Sequence, residues 1–417
     1  MDALSISVVL ATIVLFGAFA ARVGAVFLTA PIVFVTAGFV YAEVLGILEL
    51  EAEVEPVKLL AEVTLVWLLF ADASAVDLRR LRADLGTQVR LLGVALPMTV
   101  ALGTVVAVTL LSVEPWAALL LGAALAPTDA ALGAAVMADP RVPERTRRTL
   151  NIESGLNDGI VTPVVLLAVA GLASANGLGN AESPGGAVAS LVVGVLVGSV
   201  VGAGGGSLMR TAGRRGWLLT DLAGPAVLAL ALLSYSTALV VEGNGFVAAF
   251  VGGLLFGREA GSGGAREVAY VEETASLASL IAWLLFGALA VPTLAEHVGW
   301  RELVFALLSL TVVRMLPVAL ALLGSGTARG EVAFIGWFGP RGLASVIFAL
   351  LALETLHDVV VELVATIALT VVLSVLLHGL SAGPLSARFA ESAAAQPGGS
   401  AARRTRVRRG TPGPGRH

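Results

Sequence analysis

Three carboxylates, Asp129, Glu153 and Asp158, lie in or against stretches of hydrocarbon length. Ionisable groups at such depth are costly and mark ion or proton pathways. Asp129 closes the run Ala-Pro-Thr-Asp at 126–129. Glu153 opens Glu-Ser-Gly-Leu-Asn-Asp at 153–158. Residues four apart share a helix face, which aligns Ser154 with Asp158 and Glu153 with Asn157. Thr128 and Asp129 add oxygens from the preceding stretch. Oxygen ligands suit a hard cation such as Na+. Hydroxyls, a carbonyl freed by Pro127, and one or two carboxylates make a small-cation site. A carboxylate also takes a proton, so cation and proton compete at Asp158. Alternating access that carries either ion, but not the empty charged site, is exchange.

Composition sets the solvent. Of 417 residues, 57% are hydrophobic and 13% charged, against roughly 25% charged in a soluble domain. Lipid, rather than water, must cover most of the surface. The 48 glycines fit close helix packing in a bilayer. With no cysteine, disulfides and thiolate chemistry are excluded. The four histidines form no His-Glu-x-x-His pattern. No resident metal or cofactor, no enzyme activity and no nucleic-acid partner is expected.

Apolar stretches of about 20 residues can cross a bilayer as helices. Thirteen occur, at 4–21, 24–44, 59–76, 89–111, 115–138, 150–172, 187–209, 217–240, 245–257, 276–295, 302–323, 331–353 and 359–380. The first opens on Met-Asp-Ala without positive charge, unlike a signal peptide. Of 26 Lys and Arg, Arg314 and Arg341 sit deep in spans. With the N-terminus outside, 22 of the rest face the cytoplasm and only Lys58 and Arg301 face outward. That asymmetry fixes orientation and supports an odd count of spans. The acids Glu49, Glu51, Glu53 and Glu55 cluster in an outer loop, and Arg141 to Arg148 anchor an inner one. A multi-pass plasma-membrane protein with a cytoplasmic C-terminus is expected. Residues 1–385 would form the transmembrane domain. Residues 386–417, rich in Ala, Gly, Pro and Arg, would form a short disordered basic tail.

Thirteen spans divide into two six-helix halves around span 7, inverted relative to each other. Span 5 then matches span 12, which holds Gly-Pro-Arg-Gly-Leu-Ala-Ser at 339–345. Pro127 and Pro340 each break the hydrogen-bond ladder at mid-span. Such breaks are tolerated at depth where they line a cavity. Pairing the Asp129 carboxylate in one with the Arg341 cation in the other offsets opposed half-helix ends that would otherwise repel. Glu153 needs a partner, and Arg314 in span 11 supplies one for a structural ion pair. Asp72 and Asp221 read as interfacial, and His378 as a packed histidine. The glycines at 202–206 read as helix packing.

These motifs resemble the monovalent cation:proton antiporter family, in its NhaP and Na+/H+ exchanger branch. The resemblance rests on 126–129 and 153–158, on Val142, Pro143 and Arg148, on 339–342 with Ser345, and on Ser-Val-Leu-Leu-His-Gly-Leu at 374–380 with Pro384 and Leu385. It covers about residues 5 to 390. It implies a thirteen-helix fold with a dimer domain and a six-helix core, crossed at spans 5 and 12. It implies a cation site of Thr128, Asp129, Ser154 and Asp158, with Glu153 close by and paired to Arg314, and a homodimer working by elevator-like movement. The Asn157-Asp158 pair is the family's asparagine-aspartate form, which implies electroneutral exchange. The expectation is an exchanger of Na+ (and Li+) for H+, serving pH and sodium homeostasis. A K+/H+ antiporter of the same fold and a cation channel stay open as rivals.

Overall fold

The computed structural model describes residues 3–25, 29–48, 54–76, 85–129, 132–133, 136–137, 139–178 and 184–395. Glu49, Glu51, Glu53, Arg79, Arg80, Arg82 and the tail arginines from Arg403 onward lie outside the described residues. The helices are α1 (Ala3–Ala25), α2 (Ala30–Phe39, extended by a π turn Val40–Val44), α3 (Val54–Ser74), α4 (Leu85–Leu111), α5 (Pro115–Ala124), α6 (Glu144–Ala175) and α7 (Pro184–Arg214). They continue as α8 (Thr220–Val240), α9 (Gly245–Ala260), α10 (Ala265–His297), α11 (Trp300–Ala321), α12 (Arg329–Trp337), α13 (Leu343–Leu356) and α14 (Val361–Ala395). The described residues contain no strand.

Among the described residues, α1, α4, α6, α7, α8, α10, α11 and α14 are long and apolar enough to cross a membrane. Ala30–Val44, α5 and Leu343–Leu353 are apolar but shorter. All thirteen expected stretches fall on helices. Stretch 115–138 falls on one that stops at Ala124, and 331–353 on the pair α12 and α13. The outward faces carry large apolar side chains, such as Leu10, Val14 and Phe19 on α1 and Val192, Leu196 and Val200 on α7. Only a hydrocarbon surrounding makes such a surface stable, so the chain is a multi-pass membrane protein.

The helices pack in two groups. One gathers α2, α3, α7, α8, α9 and α10. The other gathers α4, α5, α6, α11, α12, α13 and α14. The two groups meet where α10 packs on α14, α7 on α6, and α3 on α6 and α13. Local chemistry sets the ends that matter. Pro115 opens α5, where the Glu114 carboxylate accepts the Ala117 amide at 3.1 Å. Pro127 then disfavours helix for the residue before it. Pro143 precedes α6, which starts at Glu144, earlier than the expected 150. At its entry Arg141 grips Asp139 at 2.7 Å, and this hydrogen bond holds the Asp139 carboxyl below its usual range. Helix α14 runs to Ala395, past the boundary expected at 385. The run 386–395 is rich in alanine, and Phe389 stacks on Phe334 at 4.3 Å, so packing carries the helix onward.

Where α7 meets α9, Gly194, Gly198, Gly202 and Gly206 recur every fourth residue. A Cβ on each would strike the backbone of Asn244, Ala248, Gly252 and Phe256 in turn. With no hydrophobic drive between helices in lipid, such backbone approach is the main source of cohesion. We predict that Gly202→Leu lowers stability by about 1–3 kcal/mol or more, read as thermal unfolding in detergent. Gly204→Leu, whose Cβ would meet nothing within 4 Å, should leave the midpoint unchanged.

Candidate functional site

The two breaks meet. The Asp129 amide donates to the Pro340 carbonyl at 2.8 Å, joining segments that are far apart in sequence. The Asp129 carboxylate accepts the Leu343 amide at 2.9 Å and the Leu132 amide at 3.3 Å. Leu343 begins α13, so Asp129 caps the positive end of a helix from another part of the chain. A Cβ at Gly342 would collide with this carboxylate, which explains glycine there. Arg341 does the converse. Its guanidinium is fully buried and donates to the carbonyls of Ala126 at 2.8 Å and Pro127 at 3.1 Å, past the negative end of α5. A longer contact reaches the Ser309 carbonyl at 3.4 Å. Each charge therefore serves the other segment's half-helix.

Behind the crossing, α14 holds the second break. The Arg341 amide donates to Ser374 Oγ at 2.6 Å. His378 stacks on Trp337 with ring centroids 5.0 Å apart. Its Nε2 lies 3.0 Å from the Trp337 carbonyl and its Nδ1 3.2 Å from Ser374 Oγ. The histidine thus bridges the residue before the break and the serine that receives the amide after it.

The polar face of α6 lies against this knot. Thr128 Oγ1 sits 2.9 Å from Ser154 Oγ and accepts the Asn157 side-chain amide at 2.6 Å. Thr128, Ser154 and Asn157 are buried, and Asp158 is partly buried. Two oxygens here have no hydrogen-bond partner, Asp158 Oδ1 and Asn157 Oδ1. A buried carboxylate oxygen without a donor is costly, and a cation or a proton would satisfy it. Glu153 points elsewhere. Its carboxylate lies 2.6 Å from Arg314 Nη2, with both side chains nearly sealed from solvent. Arg314 follows Thr311, where the helix ladder of α11 is distorted.

Asp72 was read above as interfacial, and its place is different. It packs against Gly155 of α6, where an added Cβ would lie 3.5 Å from its own Cβ. Asp158 lies within electrostatic reach of Asp129 and Asp72, and Asp72 within reach of Glu272 on α10 as well as of Asp129. The signal was present in the sequence as a carboxylate inside Leu-Leu-Phe-Ala-Asp-Ala-Ser. The partner, a glycine on another helix, was not visible there. Among the described residues, Thr128, Ser154, Asn157, Asp158, Asp129 and Asp72 are thus brought to one place, while Glu153, Arg314 and Arg341 brace it.

Two interrupted helices, crossed and charge-compensated beside buried carboxylates, are an arrangement that recurs in the folds of secondary transporters. The chain belongs to the sodium/hydrogen exchanger transmembrane family, whose sequence profile matches residues 7–388, and so to the monovalent cation:proton antiporters. It is 27% identical over 299 residues to a protein named K(+)/H(+) antiporter NhaP from Alkalimonas amylolytica, covering 70% of this chain and 50% of that one. It is 27% identical over 232 residues to the K(+)/H(+) antiporter NhaP2 of Shewanella oneidensis, covering 55% and 40%. The chain thus spans half or less of the length of these curated relatives. The sodium proton antiporter MjNhaP1 of Methanocaldococcus jannaschii shares the fold, with a TM-score of 0.76 at 20% identity over 90% of this chain and 98% of that one.

A buried ion pair that loses one member leaves an uncompensated charge, costing about 3–5 kcal/mol. Glu153→Leu and Arg314→Met should each melt well below wild type in detergent. The double variant should recover most of the loss. A double variant as unstable as the singles would remove the pair from the account of stability.

Proposed function

We propose that this chain exchanges a monovalent cation for protons by alternating access, with Asp158 as the shared site. The observation that carries this reading is the unpartnered Asp158 Oδ1 beside the Thr128–Ser154 hydroxyl pair, at the crossing of the two breaks. The cation takes oxygens from Asp158, Ser154 and Thr128, and a proton takes Asp158 when the cation leaves. Asp129 contributes chiefly its charge, since its Oδ2 already caps α13 and its Oδ1 accepts the Leu132 amide. Asp72 adds a second carboxylate field across Gly155. The pair Glu153–Arg314 fixes α6 to α11, and Pro127, Pro340 and Arg341 hold the crossing open. No other cofactor is needed.

Na+ is the proposed cation, on the hard-oxygen chemistry of the site. K+ is the second reading, favoured because the curated relatives above are named K(+)/H(+) antiporters. The architecture we propose has thirteen crossings in two inverted six-helix halves, with an exchanger domain that runs on through α14 to Ala395 and a basic cytoplasmic tail beyond. The N-terminus faces outward in the plasma membrane, and the protein works as a homodimer in pH and sodium homeostasis.

Proton flux in inside-out vesicles tests the core of this. In cells lacking their own antiporters, adding Na+, Li+ or K+ across pH 6 to 9 should collapse an acidic interior with wild type. Asp158→Asn, folded and inserted, should give no collapse with any cation. Retained exchange in that variant would refute the site.

Asn157 supplies an amide where a second carboxylate would titrate. Exchange by the wild type should therefore ignore an imposed potential. A transported net charge would gain about 2.3 kcal/mol per 100 mV. Asn157→Asp should make exchange respond to potential, and an unresponsive Asn157→Asp would show that this residue does not set stoichiometry.

A further inference from the structure

Helix α12 is nine residues long and packs against α11 and α14, with an apolar groove along each seam. Between α11 and α12 lies a groove of about 710 Å³, lined by Met315, Leu316, Ala319, Leu323, Val332 and Ala333 among others. Between α12 and α14 lies one of about 330 Å³, lined by Met315, Ala333, Phe334, Trp337, Leu385 and Phe389 among others. Met315 and Ala333 belong to both, so the two grooves adjoin. Leu316 and Leu320 on α11 and Leu323 just past its end are exposed, as on a lipid-facing surface.

Both grooves reach the N-terminal end of α12, and positive charge collects there. Arg329 lines the first groove, and Arg388 with Gly330 lines the second. Both arginine side chains are exposed, and neither makes an ion pair among the described residues. The first-turn amides of α12 add the positive end of a helix. Glu331 is turned away, because it accepts the Thr146 hydroxyl of α6 at 2.8 Å. Among the described residues Glu391, three residues after Arg388 on α14, makes no ion pair with that arginine. No Asp or Glu lines either groove.

We propose that one anionic diacyl phospholipid straddles α12, with an acyl chain in each groove and its phosphate between Arg329 and Arg388. The absence of a lining carboxylate sets the headgroup class. The ammonium of a zwitterionic lipid finds no partner there, whereas a net negative headgroup leaves both arginines neutralised. The bound lipid braces the helix whose last residue, Trp337, leads into the Arg341 break.

The test is lipid binding by the purified full chain in detergent. Native mass spectrometry counts retained lipid, and thermal unfolding reports stabilisation, with dioleoyl phosphatidylglycerol and dioleoyl phosphatidylcholine titrated separately. An arginine beside an anionic lipid strengthens binding about fivefold, so two give a preference of roughly thirtyfold for phosphatidylglycerol. The double variant Arg329→Gln/Arg388→Gln should erase that preference with its lipid-free melting unchanged. Ala333→Trp, which fills both grooves, should reduce retention of both lipids. Equal binding of the two lipids by wild type, or a preference that survives loss of both arginines, overturns the proposal. The readout needs no transport, so its outcome is separate from which ion is exchanged.

Discussion

Everything near the site depends on how two helix ends are made tolerable inside a membrane. A helix that stops at mid-depth leaves unpaired amides or carbonyls in a medium with no water to satisfy them. Here the carbonyls past α5 receive the Arg341 guanidinium, and the amide that opens α13 receives the Asp129 carboxylate. Neither segment could stop where it does without the other. The low surrounding dielectric strengthens these contacts and raises the penalty for losing either one.

That arrangement gives the remaining polar groups their purpose. With the helix ends already served, Asp158 Oδ1 is left buried without a donor beside two hydroxyls. Glu153 is withdrawn from that competition by Arg314. Two acids five residues apart on one helix thus do different work, one holding helices together and one left open to an ion. The difference is set by which neighbour carries a positive charge.

Much of this was legible in the sequence because it is written in rare residues. A proline followed by Asp129, and another followed by Arg341, stand out against apolar runs, and so does the polar stripe from Glu153 to Asp158. The asymmetry of arginines spoke to topology. Contacts across the chain were less legible. That Asp129 caps Leu343 rather than meeting Arg341 depends on the crossing geometry, which no local pattern encodes. Asp72 looked like an end-of-helix acid because Gly155, the gap that admits it, lies on a different helix. The extension of α14 to Ala395 rests on Phe389 finding Phe334, again a tertiary contact.

The crossing also couples distant parts of the chain. Asp129 and Leu343 are 214 positions apart, yet a carboxylate, an amide and the glycine between them form one joint. A side chain at Gly342 would displace the Asp129 carboxylate, and shortening Asp129 would uncap α13. The two break segments therefore behave mechanically as one part, and neither can be altered as if it stood alone.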